Sequence, residues 1–200
     1  EETNNDVSEV SEEEFRRPEY LTFLKNNNED KKTLYSEIIS TDKYQGNLKN
    51  YIESIGLIKK LTETKTLYSF TRKELQSEKS IYESINLLWK NRPSNDELWL
   101  PAVQVGGEGI FLKFNEDMIN QFENNKIVRE RVSNFIQISR PTDRPIDETK
   151  ATVRYMLLHT FAHILINTLI YECGYGASSL QERIYCSNDE GNSMAGILIY

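Results

Sequence analysis

Cysteine and histidine are scarce in this sequence, which has two of each among its 200 residues. Cys173 and Cys186 are too few to form a four-thiolate metal site by themselves or to cross-link a secreted mini-protein. The chain also has no signal segment in which basic residues precede an apolar run at its start. We therefore expect a reduced, cytoplasmic protein.

Basic residues are absent from the first fourteen positions, although seven of the 31 acids lie there. The rest of the chain carries 24 acids and 24 bases, so the formal net charge of −7 is confined to this stretch. We expect residues 1–14 to form a disordered acidic tail. The neutral remainder excludes a bulk-basic nucleic-acid binder, and any DNA contact would need a local basic patch.

The order of apolar and turn-forming residues predicts an α/β or α+β fold, in which a mixed sheet packs on a long buried helix. Two apolar stretches around the glycine-rich segment 106–109 predict a β-hairpin in the middle of the chain. Residues 43–61 show mixed helical spacing, and residues 65–71 alternate as a strand does. Asn115 is predicted to cap a helix that runs to about residue 136, and residues 194–200 read as a buried strand. We divide the chain into the tail 1–14, an α+β region 15–137 with the hairpin, a Pro-rich linker 138–147, and an α/β domain 148–200.

The most apolar segment, residues 155–171, carries no formal charge when its histidines are neutral. A membrane span is the alternative to a core helix, but seventeen residues is the lower limit for a span, and histidine and asparagine are costly in lipid. We therefore predict a buried core helix that Gly174 ends. Ser179 and Glu182 have capping-box spacing and predict a second, short helix.

The polar residues of this helix, His159, His163 and Asn167, recur every fourth position and share one face. They fit a stripe of buried hydrogen-bonded groups, a metal site completed by Cys173 or Cys186, or acid–base catalysis by an imidazole. The glutamate of a zincin motif is missing, because Thr160 follows the first histidine. We assign no metal site and no catalytic residue, and keep His159 and His163 as catalytic candidates.

Several segments together resemble the helicase-associated, zinc-binding domain found at the end of MrfA-type DNA-repair helicases and in the DISARM anti-phage component DrmB. They include Leu158 to Leu165 with both histidines, Glu172-Cys173-Gly174-Tyr175, the stretch from Ala177 to Tyr185, and Met194 to Tyr200. Phe15 to Tyr20 and Leu100 to Leu112 narrow the resemblance to the DrmB family. Family members carry four zinc-binding cysteines downstream of the point where this sequence stops. We therefore expect a truncated domain with no cofactor of its own, and zinc only in a longer form.

The resemblance implies a bacterial, non-ATPase accessory subunit that supports a helicase partner in phage defence, contacts DNA and needs no membrane. No Walker A motif is present in the sequence, in keeping with this. Our candidate phosphate contacts are Arg140, Arg144, Lys150 and Arg183. Two alternatives stay open: a hydrolase or nuclease-like enzyme that uses His159 and His163, and a protein-interaction module that does not bind nucleic acid.

Overall fold

A computed structural model describes residues 12–26, 32–44, 46–67, 99–139, 150–189 and 191–200. The chain divides into two units, one made of Glu1–Leu61 with Glu108–Tyr200 and the other of Thr62–Gly107. The described helices are α1 Glu12–Phe23, α2 Leu48–Tyr51, α3 Glu116–Glu123, α4 Lys126–Ser139 and α5 Val153–Cys173. The strands are β1 Leu34–Ile39, β2 Ile52–Thr66, β3 Ala102–Phe114, β4 Glu182–Ser187 and β5 Met194–Ile199. A mixed helix-and-sheet fold is therefore confirmed.

The five strands form one sheet in the order β1-β2-β3-β5-β4. β1 pairs with β2, β3 with β5, and β4 with β5, and these three pairings are antiparallel rather than mixed. β5 lies between β3 and β4, and all six of its residues are buried. The predicted buried strand at the end of the sequence is thus confirmed.

Helices cover both faces of the sheet in the first unit, which explains why β5 is apolar at every position. On one face, Tyr20 and Phe23 of α1 pack with Phe111, Tyr185 and neighbouring aliphatic residues. The Phe23 and Phe111 rings are 5.2 Å apart between centroids, and burial raises the pKa of Tyr20 to about 12. The opposite face of the sheet packs against α5 and α3 through a second cluster that includes Leu158, Ala162, Ile119, Ile197 and Ile199.

The long helix α5 is covered on one side only. Thr152 caps its start by accepting a hydrogen bond from the Tyr155 amide, and Gly174 ends it with a φ of 75° in the left-handed region, as predicted. Arg154, Leu158 and Ala162 are its buried residues. The outer side is exposed, so the expected buried core helix is not confirmed. By length and composition α5 could also cross a membrane, but core helices of globular proteins meet the same two criteria. Within its most apolar 18-residue stretch, 17% of the helix is buried inside the protein.

The predicted hairpin at residues 102–114 is wrong, because β3 is one continuous strand. Among the described residues, positive φ angles occur only at Gly46, Gly174 and Gly191, so the glycines of β3 make no turn. Gly109 instead allows a close approach between strands. A Cβ atom there would lie 2.5 Å from the Ile199 carbonyl oxygen and 2.9 Å from Tyr200 Cβ.

Other boundaries also differ from the predictions. Among the described residues of 43–61, residue 43 ends a short 3-10 helix, the four-residue α2 follows, and β2 begins at Ile52. The segment after Gly174 forms a turn and then β4 instead of a short helix. The tail prediction fails at 12–14, because α1 begins at Glu12. Asn115 caps α3 as expected, but Asn125 accepts bonds from the Ile127 and Val128 amides and starts a separate helix, α4.

Of the second unit, residues 62–67 and 99–107 are described, and they include the end of β2 and the start of β3. β2 ends at Thr66, so only residues 65 and 66 of the strand predicted at 65–71 are observed in a strand. The Leu67 amide donates to the Pro101 carbonyl over 2.9 Å. Residues 68–98 lie outside the described residues. The same holds for residues 1–11 of the predicted tail and for the linker from 140 onward, whereas positions 138 and 139 belong to α4.

Replacing Gly109 with alanine should destabilise the protein by about 1–3 kcal/mol, since the added methyl group meets backbone that cannot easily move. Gly106→Ala is the matched control, because a Cβ atom at Gly106 would have no other atom within 4 Å and the strand is the same. Urea unfolding of the two variants measures the difference. Equal stability of Gly109→Ala and the natural protein would contradict the close approach.

Candidate functional site

The histidine stripe of α5 is partly to fully exposed, so the alternative of a stripe of buried groups does not describe it. The side chains of His159 and His163 are 41% and 59% exposed, and Asn167 is exposed as well. The two histidines nevertheless lie together. Their Nε2 atoms are 2.8 Å apart, and their ring centroids are separated by 4.6 Å.

Glu182 completes this group from the first position of β4. Its Oε1 atom lies 2.9 Å from Nε2 of His159 and 3.5 Å from Nε2 of His163. The backbone fixes Glu182 here, because Gln181 and Tyr200 exchange two hydrogen bonds of 2.7 and 3.0 Å next to it. We call His159, His163 and Glu182 the His–His–Glu cluster.

The three side chains offer donor atoms that all lie within 4.8 Å of one another. Two imidazole nitrogens and a carboxylate oxygen can share a proton or bind a divalent transition metal. Glu182 was missed as a site residue, since its capping-box spacing with Ser179 favoured a helix. Glu182 reaches the two histidines of α5 because β4 pairs with β5, a pairing between segments that local sequence signals do not predict.

An apolar cleft of about 490 Å³ adjoins both histidines. α4 contributes Phe135 and Ile136, and the start of α5 contributes Tyr155 and Met156. Lys150 also lines the cleft and is exposed. The cleft could admit a small ligand to the exposed side of the His–His–Glu cluster.

A second polar group surrounds Arg154, which is only 2% exposed. Its guanidinium lies 2.9 Å from Glu116 and 3.0 Å from Glu123, and it donates to the carbonyl oxygen of Ser187 over 2.8 Å. Burial by itself would lower the pKa of Arg154, but the hydrogen bond to Glu123 and the charges of both glutamates raise it. These contacts occupy the guanidinium fully, so we assign Arg154 to the framework.

The predicted phosphate contacts do not come together in the described part of the chain. Arg140 and Arg144 lie outside the described residues, and Lys150 stands at the cleft. Arg183 is engaged inside the protein: its side chain is 10% exposed, bonds Glu19 over 2.5 Å and donates to the Tyr200 hydroxyl over 3.0 Å. Its geometry supports a structural role.

The two cysteines do not join the His–His–Glu cluster, although a thiol was considered as its third metal ligand. Both are free thiols. Cys173 is exposed at the end of α5, whereas Cys186 packs against the core from β4. Burial raises the pKa of the Cys186 thiol to about 11.

Comparison with known proteins finds no family model that matches. The chain is similar to the DISARM protein DrmB of Bacillus paralicheniformis, with 30% identity over 99% of the chain. It spans about a third (35%) of the length of that protein. This similarity supports a DrmB-like relationship for this part, and the MrfA-type character of its last third stays a prediction.

In the native protein at pH 7.5, a thiol reagent should label Cys173 and leave Cys186 unlabelled, because the thiolate is the reactive form and the partly buried Cys186 thiol is held protonated by its raised pKa. Labelling of Cys186 should rise only as the pH approaches 11 or the protein unfolds. Mass spectrometry of alkylated peptides measures both sites, with labelling in urea as the control. Fast labelling of Cys186 at neutral pH would contradict its burial.

Proposed function

We propose that this chain is part of an accessory component of a bacterial anti-phage defence system of the DISARM type. The observation that carries the proposal is the DrmB similarity along 99% of the chain. The component has no ATPase of its own and works with a helicase partner on DNA. Because the chain spans about a third of the relative, the activity of the longer protein is part of the proposal.

Exposed apolar side chains on α4 support the partner interaction. Ile127, Phe135 and Ile138 are 75%, 57% and 77% exposed, and their helical spacing places them on one side of α4. α5, which packs beside α4, adds Ile164 and Tyr171 at 59% and 84% exposure. Exposed apolar side chains along one side of a helix are typical of protein-binding surfaces. We place the helicase partner on this α4–α5 face.

A DNA contact would have to come from a few local cations in this chain. The chain beyond Glu14 is neutral, so long-range attraction to DNA is small and local cations must supply the contact. Lys150 is exposed and lines the cleft, and in the sequence it follows the segment that holds Arg140 and Arg144. We place the phosphate contact there and exclude Arg183 from it.

A second candidate function is hydrolysis, and the convergence of His159, His163 and Glu182 beside a cleft favours it. Such a group can remove a proton from water or hold a metal that does so. We rank it second because the DrmB similarity itself carries no catalytic assignment. A cleavage assay on phage DNA, comparing natural protein with His163→Ala, separates the two functions.

Phe135→Asp in the full-length protein should lower co-purification of the helicase component by about tenfold or more, since a charge on the α4–α5 face opposes apolar docking. Phage protection, measured as plating efficiency, should fall with it. Phe15→Asp is the matched control, because Phe15 is also an exposed phenylalanine on a helix, at 70% exposure. Equal losses in both variants, or none in Phe135→Asp, would count against this surface.

Lys150→Ala should weaken DNA binding at low salt and reduce the slope of log affinity against log salt by about one. Arg183→Ala should lower the melting temperature and leave that slope unchanged, because its guanidinium is bonded to Glu19. Filter binding of DNA over a salt series measures the slopes. A natural protein whose DNA binding shows no salt slope would remove DNA contact from the proposal.

A further inference from the structure

We infer that the His–His–Glu cluster binds one divalent transition-metal ion of the zinc class. The inference goes beyond the proposed function, since neither partner docking nor DNA contact requires a metal. It is also separate from the downstream cysteine site that the resemblance implies, because its ligands are His159, His163 and Glu182.

The distances between the donor atoms support a single ion among them. Bonds of about 2.0–2.1 Å at tetrahedral angles place two zinc ligands about 3.3–3.4 Å apart. The three observed separations are 2.8, 2.9 and 3.5 Å. Side-chain shifts of about half an ångström would therefore complete the coordination, and both histidines are exposed enough to make them.

The carboxylate supplies a second and independent observation. The Oε2 atom of Glu182 is buried and has no hydrogen-bond partner among the described residues. The Glu182 side chain as a whole is 22% exposed, but an unpaired buried carboxylate oxygen is unfavourable unless a charge compensates it. A cation bound at Oε1 would provide that charge, and a single proton shared within the cluster is the competing way to provide it.

The chemistry of the donors selects the class of metal. Imidazole nitrogens with one carboxylate suit Zn²⁺ and its neighbours, whereas Mg²⁺ and Ca²⁺ prefer oxygen ligands throughout. Three protein ligands leave a fourth position. Because His159 and His163 also line the cleft, water or a small anion would reach that position from the cleft.

A bound ion would tie α5 to β4, the edge strand of the sheet. Metal that binds only the folded state raises the apparent stability, so removal of the metal should lower the melting temperature. Because β4 is the edge strand opposite β1, the ion would join α5 to that edge of the sheet. Its structural effect is thus measurable without any assay of function.

The test is a titration of untagged, metal-stripped protein with zinc and with cobalt. Calorimetry monitors the binding of zinc, and the visible absorption of tetrahedral cobalt monitors the binding of cobalt. The natural protein should bind one ion per chain, and His163→Ala and Glu182→Gln should each weaken binding by at least about tenfold. Asn167→Ala is the control, since it lies one turn further along the stripe outside the cluster. Cys173→Ser controls for binding by the exposed thiol, and both controls should bind as the natural protein does.

Failure of the natural protein to bind zinc, or equal binding by His163→Ala, would overturn the inference. A proton-sharing cluster would then be the remaining explanation of the contacts. Melting of every variant without metal shows whether it is folded, and a variant that is folded but has lost the zinc-induced rise in melting temperature supports the site. Phage protection is measured separately, so the metal site and the proposed function can fail independently.

Discussion

The buried guanidinium of Arg154 connects more parts of this fold than any other side chain described. It reaches Glu116, Asn120 and Glu123 on α3 and the carbonyl oxygens of Ser187 and Met194 at the ends of β4 and β5. A buried charge that loses its partners costs about 3–5 kcal/mol, so these elements are held to one arrangement. That arrangement fixes where α5 lies on the sheet. Because Arg154 lies in the first turn of α5, these contacts also determine where His159 and His163 lie further along the helix.

Local signals in the sequence predicted the features that local chemistry decides. Asn115 caps α3, Gly174 ends α5, and the apolar run at Met194–Ile199 is a strand, each for reasons contained within a few neighbouring residues. The mixed helix-and-sheet class followed from the same signals. The remaining features depend on contacts between residues far apart in the chain, and the wrong predictions concern those features.

The strand β2 shows how such an error arises. Four buried aliphatic residues of β2 recur every third position, which suggests a helix instead of a strand: Ile52, Ile55, Ile58 and Leu61. The pairing of β1 with β2 shifts in register between Tyr35 and Ser36, so Lys59 of β2 has no partner in β1. Such a bulge changes which residues of the strand face each side of the sheet. In the same way, the histidine pair was visible from its spacing, but Glu182 was not, because the pairing of β4 with β5 places it.

The order of the strands has a consequence for synthesis on the ribosome. β5 is the last strand in the chain, yet it lies between β3 and β4, and about 80 residues must be made after β3 before it exists. At about 5–20 residues per second, the unpaired side of β3 waits roughly 4–16 s for its neighbour. An open strand edge of this kind is where nascent chains bind one another or a chaperone. The open side of β3 therefore belongs to the growing chain, and it closes when β5 enters the sheet.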